Sequence, residues 1–148
     1  MTEAVAGKQY CSFTVGELMV GIEATRVREI LTDQDVTPVP LAPTSVLGLL
    51  NLRGELMTVV DARQRLGLSK RDPDQPTSHV IVSTEGEALS LVVDAENEII
   101  DVDPATAQVV PETVRSEVRM LLSAIYELAD GTLLLVLDPD RALSLIAT

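Results

Sequence analysis

Short apolar segments with a period of two, separated by glycine-bearing turns, are the feature that most limits what this chain can fold into. Tyr10-Cys11-Ser12-Phe13-Thr14-Val15 and Glu55-Leu56-Met57-Thr58-Val59-Val60 show the pattern. Successive side chains of a strand point to opposite faces, whereas a helix repeats its apolar face at spacings of three and four. The alternation predicts strands over Gln9–Val15, Glu17–Ile22, Val27–Leu31, Gly48–Leu52, Glu55–Val60, His79–Ser83, Glu87–Val93, Glu98–Val102, Leu121–Glu127 and Thr132–Leu137. The expected class is all-β, mainly strand with short helices. Leu68–Ser78, reading LSKRDPDQPTS, is polar and carries two prolines, so it reads as a linker.

The two sides of that linker repeat each other. Gly54 is followed by Asp61 seven positions on and Leu66 five after that; Gly131, Asp138 and Leu143 keep the same intervals. Earlier, Gly16-Glu17 leads to Ile22-Glu23-Ala24, and Gly86-Glu87 leads to Val93-Asp94-Ala95, one residue longer. Physically this is a hairpin glycine that supplies positive φ, an apolar strand, then an aspartate capping a short helix. Pro139 behind Asp138 is the favoured first helical residue after a cap. Duplication predicts two small β-barrels of about five strands each, sharing a hydrophobic core, with approximate subdomains 9–68 and 79–146 about a linker at 69–78.

Charge and composition narrow the function. The net charge is −12, from 23 acidic and 11 basic residues, and such a field repels phosphate backbones and acidic lipid. Nucleic acid and direct membrane insertion are therefore not expected. No apolar run approaches the roughly 20 residues of a membrane helix, and the N-terminus lacks the basic-then-apolar order of a signal peptide. A cytoplasmic protein is expected. Arg63, Arg65, Lys70 and Arg71 cluster, and no base follows until Arg115. Glu85, Glu87, Asp94, Glu96, Glu98, Asp101 and Asp103 fall in that gap, forming either a solvated acidic face or an electrostatic docking surface.

The tools of an enzyme are missing. Gly48 and Gly54 flank LLNLR without the GK[ST] or GxGxxG order of a phosphate loop. His79, the only histidine, has no Cys or second His beside it and stands in a strand-like run, so neither a metal site nor a phospho-acceptor is expected. Asp72/Asp74, Asp101/Asp103 and Asp138/Asp140 lack the glycine and distal glutamate of a calcium loop. Ser12, Ser45 and Ser83 have no GxSxG context. Cys11, the only cysteine, shares one strand face with Phe13 and Val15 and reads as a buried small hydrophobe. Aromatics make up 2% of the chain, too few to build stacking platforms for sugars, bases or flavins. No cofactor, metal or catalytic residue is expected.

The informative stretch is VPLAPTSVLGLLNLRGELMTVVDARQRL, from Val39 to Leu66. Val39-Pro40, Pro43, Val46, Gly48, Asn51-Leu52-Arg53-Gly54, Val59-Val60-Asp61 and Leu66 resemble the CheW-domain pattern. Phe13, Gly16, Ile22, Val27 and Glu29-Ile30 upstream, and Gly86, Val92-Val93-Asp94 and Gly131 followed by LLLVLD downstream, continue it over residues 9–146. Thr58 and Ala62 depart from it, where the family usually has proline and leucine, as does Ser90, where glycine is common. The resemblance implies two interlocked five-stranded SH3-like barrels and a non-catalytic adaptor between chemoreceptor tips and the regulatory domain of a CheA-type histidine kinase, recruited to receptor arrays. It leaves open a paralogue that serves a pilus, gliding or gene-regulatory system and binds one of the two partners. At 148 residues the chain has no room for a fused kinase core, which would add over about a hundred residues.

By the same resemblance, Val27, Glu29, Arg53, Val80 and Ile99 lie where the family contacts receptor or kinase, and Glu29 and Arg53 resemble its acid–base pair. Arg53 could equally do no more than tie the hairpin turn before Gly54. Helical receptor tips would dock in a trough between the barrels, burying apolar side chains. With neither a phosphate loop nor a phospho-acceptor in the sequence, the purified protein should leave ATP intact and gain no label from radioactive ATP; stoichiometric self-labelling would contradict this reading.

Overall fold

The computed structural model describes residues 7–85 and 87–144; Gly86 and residues 145–146 of the expected domain lie outside it. Ten strands form, each within a few residues of its predicted span. They are β1 (Lys8–Val15), β2 (Leu18–Glu23), β3 (Val27–Thr32), β4 (Val46–Leu52), β5 (Glu55–Asp61), β6 (Ser78–Thr84), β7 (Glu87–Val93), β8 (Ala95–Val102), β9 (Leu122–Glu127) and β10 (Leu133–Leu137). Three short helices accompany them: α1 (Ala62–Arg65), α2 (Ser116–Arg119) and α3 (Pro139–Ser144).

The strands make two five-stranded sheets, in the orders β8-β1-β2-β10-β9 and β3-β6-β7-β5-β4. Numbered within its own half of the chain, each strand occupies the same place in both. Each sheet takes the first two strands of one half and the last three of the other. The halves have exchanged hairpins, and the predicted subdomains 9–68 and 79–146 need correction on this point. Residues 69–78 join α1 to β6 and stay with one sheet; the chain passes between sheets at residues 24–26 and again at Asp94. Strand pairing is non-local, so a polar stretch marks a loop without saying which strands it separates.

The duplication itself is visible in detail. β2 runs parallel to β10 as β7 does to β5. Thr37 bridges Leu49 on β4, and Gln108 bridges Ile125 on β9. Asp61 N–H donates to the Ser45 carbonyl at 2.8 Å, and Asp138 N–H to that of Leu121 at 2.8 Å. Both aspartates cap their helices as predicted, accepting from the Arg63 and Asp140 amides at 3.0 Å.

Period-two alternation sorts the core into three parts. Phe13, Val15, Val20, Ile22, Val60, Val80, Val82, Leu89, Leu91, Val93 and Leu137 form a seam shared by both sheets, with Cys11 packed against it and its thiol pushed up by burial. Residues on the opposite strand faces fill each barrel separately: Leu50, Met57, Val59, Ile81 and Val92 in one, Tyr10, Tyr126, Leu134 and Val136 in the other. β6 and β7 are therefore buried on both faces. His79, 3% exposed, is satisfied by a 2.9 Å bond between Nδ1 and Ser90 Oγ, and burial lowers its pKa.

An ion pair closes each crossing between sheets. In the second sheet Asp61 of β5 lies beside Val92 of the parallel β7, so two residues further on Arg63 meets Asp94. Arg63 Nη2 donates to Asp94 Oδ2 at 2.7 Å, Arg71 Nη2 donates to Oδ1 at 3.0 Å, and the Gly16 amide donates to Oδ2 at 2.6 Å. At the other crossing Arg26 Nη2 donates to Asp140 Oδ1 of α3 at 2.7 Å and its Nε donates to the Ser83 carbonyl at 2.9 Å. The two contacts occupy equivalent places with the charges interchanged.

Asp94 has a side chain only 5% exposed. Burial alone would raise its pKa, but the bonds from Arg63, the Gly16 amide and Arg71 outweigh it and hold the carboxyl at about 2. A depressed carboxyl contributes stability that is complete above the ordinary carboxylate range and is lost as pH falls from about 4 through about 2; the amount is of order 2 kcal/mol. Asp94→Asn would leave Arg63 without its carboxylate partner and Arg71 with only Asp61, 3.5 Å away, and should cost about 2–4 kcal/mol at neutral pH, lowering Tm by about 5–15 °C. Thermal melts from pH 7 to 2 should show the variant's stability falling less with acid than the parent's.

Candidate functional site

Arg53 is built into a tight hairpin turn. Leu52 and Glu55 pair across β4 and β5, leaving Arg53 and Gly54 as a two-residue hairpin loop. Such loops take positive φ at both central residues because that twist matches the flanking strands. Gly54 has φ +86° at no steric cost, but Arg53 has φ +52°, a region where a side chain is crowded. A residue held there against its preference points to a role beyond closing the turn.

The Arg53 guanidinium forks onto Glu29 of β3, Nη1 donating to Oε2 at 2.6 Å and Nη2 to Oε1 at 2.8 Å. β3 and β4 are opposite edges of their sheet, so this contact brings the sheet's edges together. Arg28 approaches Glu55 at 3.7 Å beside it, a second ion pair of opposite polarity between the same elements. Arg28 sits in the irregularity between the Val27–Val82 and Glu29–Ile81 pairs, which turns neighbouring β3 side chains toward the hairpin. The hydrogen bond from Arg53 holds the Glu29 carboxyl below its ordinary value. Arg53 stays 69% exposed in its side chain, so the fork faces solvent and is open to a partner.

The other expected contact residues divide. Val27 is half-buried at the start of β3 and packs on the shared seam. Ile99 is 59% exposed on β8, an edge strand of the other sheet, and takes no part in the Glu29–Arg53 pair. Val80 requires correction. It is 0% exposed, opposite Ile30 in the middle of the second sheet, and faces the seam. A partner cannot reach it, because β6 is covered on both faces; the unbroken apolar run His79-Val80-Ile81-Val82 carries that signal.

Two further surfaces stand out, of which the sequence reading offered only the second. Leu41 is fully exposed at φ +64°, in a proline-bearing loop whose base is clamped by paired Thr37–Leu49 bonds of 2.9 and 2.8 Å. The clamp requires Gly48, where a Cβ would fall 2.1 Å from the Thr37 carbonyl oxygen. Val39, Leu47 and Leu49 are exposed beside this loop or along edge strand β4, and make an apolar margin with it. The second surface is β8 with its flanking acids: Glu96, Glu98, Asp101 and Asp103 are exposed, while Asp94 of the same acidic stretch is turned inward. Among the described residues no group of His, Cys, Asp and Glu could hold a metal ion, and no helix is long and apolar enough to cross a membrane.

Comparison with known proteins decides the family. The model of the CheW-like domain matches residues 9–147. This chain belongs to the CheW-like domain family. It is 28% identical to the chemotaxis protein CheW of Rhizobium meliloti (strain 1021) over 134 residues, 90% of this chain and 86% of that protein. Against the chemotaxis protein CheW of Bacillus subtilis (strain 168) it is 27% identical over 141 residues, 95% and 90% of the two chains. The crystal structure of the scaffolding protein TtCheW from Thermoanaerobacter tengcongensis superposes with a TM-score of 0.83 at 26% identity, covering 92% of each chain. CheW-like proteins are non-catalytic scaffolds, and this chain is one of them.

Because Arg53 is exposed and Glu29 only half-buried, reversing the arginine's charge should leave the fold standing. Arg53→Glu should lower Tm by no more than about 3 °C, and adding Glu29→Arg should recover part of that loss. Differential scanning calorimetry of both variants checks this. Unfolding caused by Arg53→Glu would show that the arginine is a structural tie.

Proposed function

We propose that this CheW-like scaffold couples the cytoplasmic tips of chemoreceptors to the regulatory domain of a CheA-type histidine kinase, in the cytoplasm at receptor arrays. The observation that carries the reading is the Arg53–Glu29 fork: an exposed, bidentate pair on a strained turn, at the positions the family uses for partner contact. Receptor tips are helical hairpins, and their polar side chains would find in Arg53 an oriented donor while their apolar side chains lie along the trough between the barrels, near Val27 and Ile99. Similarity to proteins named for chemotaxis supports the same role.

The kinase regulatory domain is itself CheW-like, so its contact would be barrel against barrel. The apolar margin of Leu41, Val39, Leu47 and Leu49 suits that better than the acidic β8 does. At roughly 0.5 M salt the Debye length is only about 4–5 Å, and charge contacts between exposed groups are screened. Capture of a cognate kinase regulatory domain should therefore survive that salt; complete loss would move the contact to the acidic strand. Arg53→Glu should remove binding of a receptor-tip hairpin and spare binding of the kinase domain. A paralogue specialised for one partner would show only one of the two interactions in the unsubstituted protein.

A further inference from the structure

We propose that Asn51 is the positioning residue of this site: its side chain locks the β4–β5 turn in the conformation that aims Arg53 at Glu29 and at the partner. The role rests on the coupling reading for its last step alone, the delivery of Arg53 to a receptor tip.

A two-residue loop with positive φ at both positions is easily made from Asn-Gly or Asp-Gly, whose first residue tolerates the left-handed region. Here the first position holds Arg53 at φ +52°, the less favourable choice, and the turn needs support from elsewhere. Asn51 supplies it. Its Oδ1 accepts from the Gly54 amide at 3.0 Å, closing a loop around Leu52 and the strained Arg53 from the strand side. Asn51 lies opposite Leu56, outside the turn proper, so its side chain is free to reach over it. Gly54 adds no packing of its own, with no atom within 4 Å of where a Cβ would lie.

The lock matters because Arg53 has another way to relieve its strain. A hairpin tip that opens by a residue returns the arginine to negative φ and swings its stem off the line to Glu29. The fork needs two simultaneous bonds of 2.6 and 2.8 Å, and bidentate geometry does not survive such a rotation. Asn51 thus acts on the partner through Arg53, by holding one orientation in advance of binding.

The test uses the full chain with Asn51→Ala and Asn51→Asp, since Asp keeps an acceptor oxygen at the same place. In the free protein, NMR follows Gly54 amide exchange, the Arg53 backbone coupling constant that reports φ, and the Arg53 Nη–H signals of the fork. Binding is measured with a helical hairpin from a cognate receptor tip. We expect Asn51→Ala to speed Gly54 exchange, average the Arg53 coupling, lose the protected Nη–H signals and weaken hairpin binding by about 3- to 10-fold. Asn51→Asp should stay within about 2-fold of the parent on every readout. The inference is overturned if Asn51→Ala leaves Arg53 in place, or if it frees Arg53 without weakening binding. An unsubstituted protein that does not bind the hairpin overturns the coupling reading and the positioning role with it. That failure is recognisable, because the free-protein spectra would still respond to Asn51→Ala.

Discussion

Everything in this molecule depends on two places where the chain leaves one sheet for the other. In each sheet the second strand of one half runs parallel to the fifth strand of the other half, so their ends emerge side by side. One end must continue across the seam and the other must start a helix. Both become fixed when charged side chains at those ends meet, Asp94 with Arg63 and Arg71 in one case and Arg26 with Asp140 in the other. A pairing of each half with itself would bring Arg26 toward Arg63 and Asp94 toward Asp140, like charge toward like. The ion pairs therefore specify which hairpin goes with which barrel, while the apolar seam of Phe13, Ile22, Val60, Val80 and Leu91 supplies most of the energy.

Exchange of hairpins also explains how so small a chain carries a rigid binding surface. Neither half owns a complete barrel, so the barrels cannot part without unpairing strands. On that frame the edge strands β3, β4, β8 and β9 are left outermost. They carry the Glu29–Arg53 fork, the apolar margin by Leu41 and the acidic face around Ile99. The interior is spent on stability and the margins on recognition. That is the division expected of a non-catalytic scaffold.

Local features of this fold were legible in the sequence and non-local ones were not. Alternation located all ten strands, and the Gly–Asp intervals located both capped helices, because each is decided within about ten residues. Interlocking of the barrels came from the resemblance alone; which hairpin joins which barrel could not be read, since Leu18–Glu23 carries nothing that says whether its parallel neighbour is β5 or β10. The same limit hid the pairing of Arg63 and Arg71 with Asp94, residues that stood in the sequence as a basic cluster and an acidic stretch. Resemblance placed Glu29 beside Arg53 correctly but offered Val80 as a contact. Its burial was foreshadowed by the apolar residues on both sides of it, the mark of a strand covered on two faces. Arg28 with Glu55 was within reach, because opposite charges follow the same order around the turn as Glu29 and Arg53 do.

Coupling means that both partners are held at once, on different margins of one rigid body. The direct measurement is sedimentation equilibrium of the purified chain mixed with a kinase regulatory domain and a receptor-tip hairpin, each first shown to bind alone. The account predicts a species whose mass is the sum of all three, with each partner's affinity no weaker in the presence of the other. Mutual exclusion, in which adding the hairpin displaces the kinase domain, would place both on one surface and contradict it.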